Sequence, residues 1–257
     1  MPARFCGGRR SEAERNTPRL LWLRSIAFNL AFYLSTVVII VAATPLLALP
    51  RSWSVWAMRQ WSHLTMWLLR IVAGTRYEIR GRLPEGAVLV ASKHQSMWDT
   101  IIYTAILNDP AMVMKQELLW IPYYGWFSRK TGMIAIDRGS GANALRSLVS
   151  QGKAAAAARR PIVIFPEGHR VAPGAAPDYK PGVAALYRQL GVACVPVAVN
   201  SGLFWPRRKF LRRPGTILIE FLEPIAPGFD RQAFMAELEA RIEGATGKLL
   251  DEAGMAG

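Results

Sequence analysis

A chain of 257 residues that is 51% apolar and 19% charged, with mean hydropathy +0.15, is neither disordered nor collagen-like, and its two cysteines cannot staple a small disulfide scaffold. The length suffices for one sizeable core and an added segment. Thirty-two Lys and Arg against 18 Asp and Glu leave a net charge of +14, a balance suited to polyanionic partners such as nucleic acid, anionic lipid or phosphorylated substrates. Cys6 and Cys194 have no Cys or His at metal-ligand spacing, so neither a disulfide nor a zinc site is expected.

Residues 1–24 read as a basic, polar leader. From 25 to 50 no side chain is charged, and residues 25–44 alone would make a helix about 30 Å long, the thickness of a hydrocarbon core. That stretch exceeds the roughly 7–15 residues of a signal-peptide core, which predicts an uncleaved anchor. Pro45 and Pro50 mark its end. Residues 52–74 carry Trp53, Trp56, Trp61 and Trp67 beside a narrow stripe of Arg59, His63 and Arg70, the pattern of an interfacial helix. The alternative is a surface helix that uses its tryptophans as core. Hydropathy leaves open whether the pair at 25–74 spans the bilayer or enters and leaves one leaflet, and arginines on both sides of the first segment make the positive-inside rule silent.

The remainder, 75–257, alternates short apolar or β-branched runs with helical patterns. Strands are predicted at 77–80, 87–91, 111–114, 133–136, 161–165, 192–199 and 216–221, and helices at 97–107, 141–158, 181–190 and 230–249. The fold class is therefore α/β, a largely parallel or mixed central sheet flanked by helices. Ligands of such sheets bind beyond the carboxyl ends of the strands.

Two clusters stand at such ends. His94 and Asp99 bracket a strand-to-helix elbow; five positions apart, they cannot share a helical face and meet only across the turn. A carboxylate on one ring nitrogen would fix the tautomer and leave the other nitrogen as a general base. Ser96 and Asp99 equally fit a helix capping box. Behind the strand at 161–165, the turn Pro166-Glu167-Gly168-His169-Arg170 is expected to expose a carboxylate and a guanidinium, the latter suited to a phosphate. An ordinary turn with a surface ion pair is the competing reading. Arg138 ends a third strand. Five cations at Arg207, Arg208, Lys209, Arg212 and Arg213, flanked by Trp205 and Phe210, form a patch suited to anionic headgroups or the phosphates of coenzyme A.

With these blocks in order, the chain resembles the membrane-bound 1-acyl-glycerol-3-phosphate acyltransferases from about residue 77 to 227. His94-x4-Asp99 matches the family's catalytic box, 132–138 its second block, 165–170 its Phe-Pro-Glu-Gly block and Val195-Pro196-Val197 its fourth. The chain departs from the pattern at Ala135, where an aromatic is usual, and at His169, where Thr or Ser is common. The resemblance implies that His94, held by Asp99, deprotonates the hydroxyl of a lysophosphatidic acid as it attacks the thioester of acyl-CoA or an acyl carrier protein. It further implies that Arg138, Arg170 and Lys180 hold the acceptor's phosphate, that Glu167 orients the acceptor or the arginines, and that Gly168 is a substrate-binding residue beside them. The donor would be a substrate, with no resident cofactor and no metal. Backbone N–H groups at the start of the helix near Met97 would serve a developing oxyanion. The implied setting is the inner membrane, with the phospholipid bilayer as partner and the active site facing the cytoplasm.

Competing classes fit less well. A nucleic-acid binder leaves the uncharged run unexplained, and no nucleic-acid partner is expected. A membrane-anchored hydrolase lacks Gly-x-Ser-x-Gly, and the three histidines form no His-Glu-x-x-His.

Overall fold

The computed structural model describes residues 18–254. Cys6 and most of the predicted leader fall outside these residues. One sheet of seven strands runs in the order β1-β7-β6-β2-β5-β3-β4. Its members are β1 (Thr75–Arg80), β2 (Leu89–Ser92), β3 (Ala111–Lys115), β4 (Ile134–Ile136), β5 (Ile162–Ile164), β6 (Cys194–Val199) and β7 (Gly215–Phe221), each overlapping a predicted run. Every pairing is parallel except β6 with β7, so the sheet is mixed. Successive residues feed opposite faces: Val90, Val163 and Val195 enter one core, Leu89, Ile162 and Cys194 the other. Because both faces are covered, these strands read as unbroken apolar runs.

On the first face lie α1 (Pro18–Ala43), α2 (Arg51–Leu68) and α3 (Trp98–Ile106); on the second lie α5 (Ala142–Ala157), α6 (Gly182–Leu190) and α7 (Arg231–Glu252). The short α4 (Tyr124–Lys130) was not signalled by the sequence pattern. It inserts Phe127 against Ala43 and Ala57, where α1 turns into α2.

The N-terminal pair differs in detail from expectation. Among the described residues the first helix covers Pro18–Ala43, so it extends ahead of residue 25 and takes in Arg19 and Arg24. Arg24 is accommodated because its Nε donates to the carbonyl of Val72 at 3.0 Å, across the helix pair. A 3-10 turn at Thr44–Ala48, with Pro45 in its first turn, reverses the chain. The two helices are tied by Trp61 Nε1 donating to Thr36 Oγ1 at 3.0 Å. One stripe of α1, Ser25, Phe28, Asn29 and Phe32, is buried on the domain, while Ile26, Leu30, Leu34, Val37 and Val41 are exposed. Pro18–Ala48 is the one segment among the described residues that is long and apolar enough to cross a membrane. On α2, Trp53, Trp56 and Trp67 are about half exposed, and only Trp61 packs against the core. The tryptophans are thus not a core stripe, and Arg59, His63 and Arg70 are exposed beside them.

Candidate active site

The centre of the sheet explains why distant residues meet. Strand β2 lies between β5 and β6, all three parallel, with Ala91 opposite both Ile164 and Pro196. Their carboxyl ends are therefore level, and the three loops that leave them converge: 93–99 from β2, 165–171 from β5 and 200–202 from β6. Such a junction is where an open α/β sheet places its ligand.

His94 is gripped on all sides. Its Nδ1 lies 3.0 Å from Asp99 Oδ2, its backbone N–H donates to Glu167 Oε2 at 3.3 Å, and its carbonyl accepts from Val171 N at 2.8 Å. The ring stacks on Phe165 with centroids 4.0 Å apart. Nε2 has no hydrogen-bond partner among the described residues, which leaves it available to a reacting group. Asp99 is fully buried yet satisfied: Oδ2 also accepts from Gln95 N at 2.7 Å and Ser96 N at 2.8 Å, and Oδ1 accepts from the hydroxyl of Ser201. The same carboxylate thus ties down the amides before α3 and orients the imidazole, so the capping and dyad readings coexist in one side chain. With Gln95 and Ser96 N–H committed to Asp99, and Trp98 N–H to Ser96 Oγ at 3.0 Å, these three donors are not free for an oxyanion. The expectation of a hole at the helix start loses most of its donors for this reason.

Glu167 is a correction. It was expected to be exposed and to orient the acceptor or the arginines, but it is fully buried, with Oε1 2.8 Å from Lys93 Nζ and Oε2 on the His94 backbone. Burial raises its carboxyl above the ordinary value; the Lys93 hydrogen bond and charge pull the other way. Lys93, itself buried, also donates to Glu243 of α7 at 2.8 and 2.9 Å, and Tyr179 Oη donates to Glu243 at 2.8 Å. A charged side chain with this much contact to carboxylates is held in place rather than free to bind a substrate.

The other anticipated residues lie on the turn behind β5 and at the end of β4. The strand order β2-β5-β3-β4 brings the end of β4 toward the β5 turn, and Arg138 Nη1 donates to the carbonyl of Gly168. Gly168 has φ +69°, and a Cβ there would stand 3.7 Å from both Arg138 and Lys180. The turn therefore gathers these two cations; Lys180 pairs with exposed Asp178. Arg170, in the same turn, is pushed below the ordinary guanidinium value by burial and by the neighbouring Arg207 cation, with Asp99 opposing. His169 Nδ1 sits 2.9 Å from the Glu167 carbonyl and shapes the turn, while the backbone of Ala135 is bridged by Gln151 at 3.1 and 3.0 Å. In the basic loop, Arg212 is not part of an exposed patch: buried against α1, it donates to Asn29 Oδ1 at 3.1 Å and lies 4.7 Å over the Trp205 ring. Arg207, Arg208, Lys209 and Arg213 remain exposed.

Sequence reasoning missed Lys93, Ser201, Gly202 and Glu243. Gly202 N–H donates to Gln95 Oε1 at 3.0 Å, and a Cβ on Gly202 would fall 2.8 Å from Pro173, so a side chain there would displace the loop facing His94. The available signal for Ser201 and Gly202 was their place directly after an apolar strand. Nothing local marked Glu243.

Comparison with known proteins places the chain in a family. The acyltransferase family model matches residues 75–200, from β1 to the end of β6. A 1-acyl-sn-glycerol-3-phosphate acyltransferase of Pseudomonas aeruginosa is 35% identical over 188 residues, 72% of this chain and 73% of the relative. A lyso-ornithine lipid O-acyltransferase of the same organism is 28% identical over 197 residues, covering 68% and 75%. The crystal structure of the 1-acyl-sn-glycerophosphate acyltransferase PlsC from Thermotoga maritima shares the fold, with a TM-score of 0.73 over 89% of this chain and 97% of that one, at 20% identity. At the identity and coverage of the first of these relatives, this chain is an enzyme of the 1-acyl-sn-glycerol-3-phosphate acyltransferase family.

Proposed function

We propose that the enzyme transfers an acyl group from a thioester, acyl-CoA or acyl carrier protein, to the free sn-2 hydroxyl of 1-acyl-glycerol-3-phosphate, giving phosphatidic acid. The observation that carries this reading is the imidazole of His94, fixed at Nδ1 by Asp99 and unpartnered at Nε2, in a rim of cations. Nε2 takes the proton of the acceptor hydroxyl as its oxygen attacks the thioester carbonyl. The C–S bond then breaks, and the leaving thiolate recovers the proton from the imidazolium. Arg170, Arg138 and Lys180 hold the acceptor phosphate, which turns binding energy into orientation of the hydroxyl. The donor is consumed as a substrate.

The outward apolar stripe of α1 and the half-exposed tryptophans of α2 support membrane association. We place that face in the inner membrane, with the active site toward the cytoplasm; protection of the α/β domain from protease added to the cytoplasmic side would overturn that orientation.

The relative that acts on a lyso-ornithine lipid favours a second acceptor, one with an amino-acid headgroup. Detergent-solubilised enzyme supplied with acyl-CoA and either lysolipid separates the two, by thiol release and product mass. Acceptor-dependent release with phosphatidic acid formed supports the first reading; thiol release without any acceptor points to a thioesterase. Arg170→Ala is expected to raise KM for 1-acyl-glycerol-3-phosphate about tenfold, the worth of one charge-assisted contact of about 1.5 kcal/mol, with kcat nearly unchanged. An unaltered KM would mean that Arg170 only braces the turn.

A further inference from the structure

The face of the sheet opposite α1 and α2 carries a groove of about 770 Å³ between α5 and α6. Leu145, Val149, Ala184 and Ala185 supply its apolar floor. Its charged lining residues are Arg146, Lys153, Arg188 and Arg231, with no acid among the lining, and none of the four forms an ion pair among the described residues. An apolar trough with unneutralised cations along its rim accepts a helix that is apolar on one side and acidic at its edges.

The groove is also aimed. Its α5 lining runs from Ala142 to Lys153, roughly 17 Å at 1.5 Å per residue. At one end, Ala142 follows Arg138, whose guanidinium holds Gly168, and Pro181 follows Lys180 at the same turn. The next residue back, Glu167, holds the His94 backbone. The other end is closed by Arg188 and by Arg231 at the start of α7.

We propose that this groove is the docking site for the carrier-protein form of the acyl donor, an acidic protein that lays an amphipathic helix between α5 and α6 and sends its thioester arm over the Gly168 turn to His94. It rests on the acyl-transfer reading and names the donor's surface. Charge and shape select a protein over free coenzyme A: Arg146 and Lys153 stand two helical turns apart on α5, so the cations are strung along the trough rather than gathered on one phosphate group, and no aromatic side chain lines the groove to stack a nucleobase. The face is turned away from the membrane-directed helices, where a soluble partner can reach it.

The test compares the wild type with Arg146→Glu/Arg188→Glu, using palmitoyl-CoA and palmitoyl-loaded acyl carrier protein as donors. With the carrier protein, kcat/KM is expected to fall about tenfold or more, through KM, because reversed rim charges slow encounter. With palmitoyl-CoA the variant is expected to match the wild type, which also shows that it folds. Equal loss with both donors, no loss with either, or a wild type that accepts only palmitoyl-CoA overturns the proposal. Should the wild type transfer from neither donor, the acyl-transfer reading fails instead. Docking is then judged by titrating labelled carrier protein into both proteins: a dissociation constant about tenfold weaker in the variant sustains the groove, and an unchanged one overturns it.

Discussion

Replacing His94 with alanine is expected to lower kcat by about 10²–10⁴-fold, the usual contribution of a positioned general base, with little loss of thermal stability. The imidazole's two side-chain neighbours, Asp99 and Phe165, do not depend on it to stay folded. Asp99 keeps the amides of Gln95 and Ser96 and the hydroxyl of Ser201. The loop keeps both main-chain ties of residue 94, to Glu167 and to Val171. Phe165 loses one stacked ring but stays in the core that holds Tyr103 and Val163. Single-turnover thiol release and a melting curve on the same preparation check both halves. A variant that turns over normally removes His94 as the base, and one that no longer melts cooperatively shows the ring to be structural. Partial recovery on adding free imidazole would separate a missing base from a misplaced loop.

Much of the architecture was legible because burial on both faces forces a simple pattern. Strands such as β5 and β6 must be apolar at every position, and the helices between them must show one apolar face. The dyad was legible for a related reason: a strand-to-helix elbow lets residues five apart in sequence touch, which a single helical face does not. Long-range pairings were not. Lys93 sits between β2 and His94 and looks like any lysine at a strand end, because its partner Glu243 is 150 residues away on α7. For Glu167 the motif shows a carboxylate behind a strand, but only the neighbouring Lys93 decides that it turns inward. Arg212 reads in sequence as one more cation of an exposed basic patch, because its acceptor Asn29 reaches it only when α1 packs on the domain.

Lys93→Met is expected to destabilise the protein by about 3–5 kcal/mol near neutral pH, the cost of leaving a buried charge without its partner. Lys93 and Glu167 are both buried, 2.8 Å apart, and Glu243 supplies the second carboxylate. Burial already raises the Glu167 carboxyl, and Lys93 is the main influence restraining it. Without the ammonium the folded-state value climbs further above the unfolded one, so the folded protein binds the proton more tightly. Stability then falls as pH rises from the unfolded value through the folded one. The variant should therefore lose more stability at about pH 8 than at about pH 5, measured by denaturant unfolding against the wild type at each pH. Glu167→Gln in the same chain removes the orphaned charge and keeps an acceptor for the His94 N–H, so the double variant should regain at least about half of the lost stability. Activity separates positioning from mere stability. If Glu167 sets His94 through its backbone, Lys93→Met lowers kcat with KM for the acceptor unchanged, and the double variant restores part of it. Equal destabilisation at both pH values with no recovery in the double variant would show that an orphaned Glu167 charge is not the source of the loss, and an unchanged kcat that the pair does not place the base.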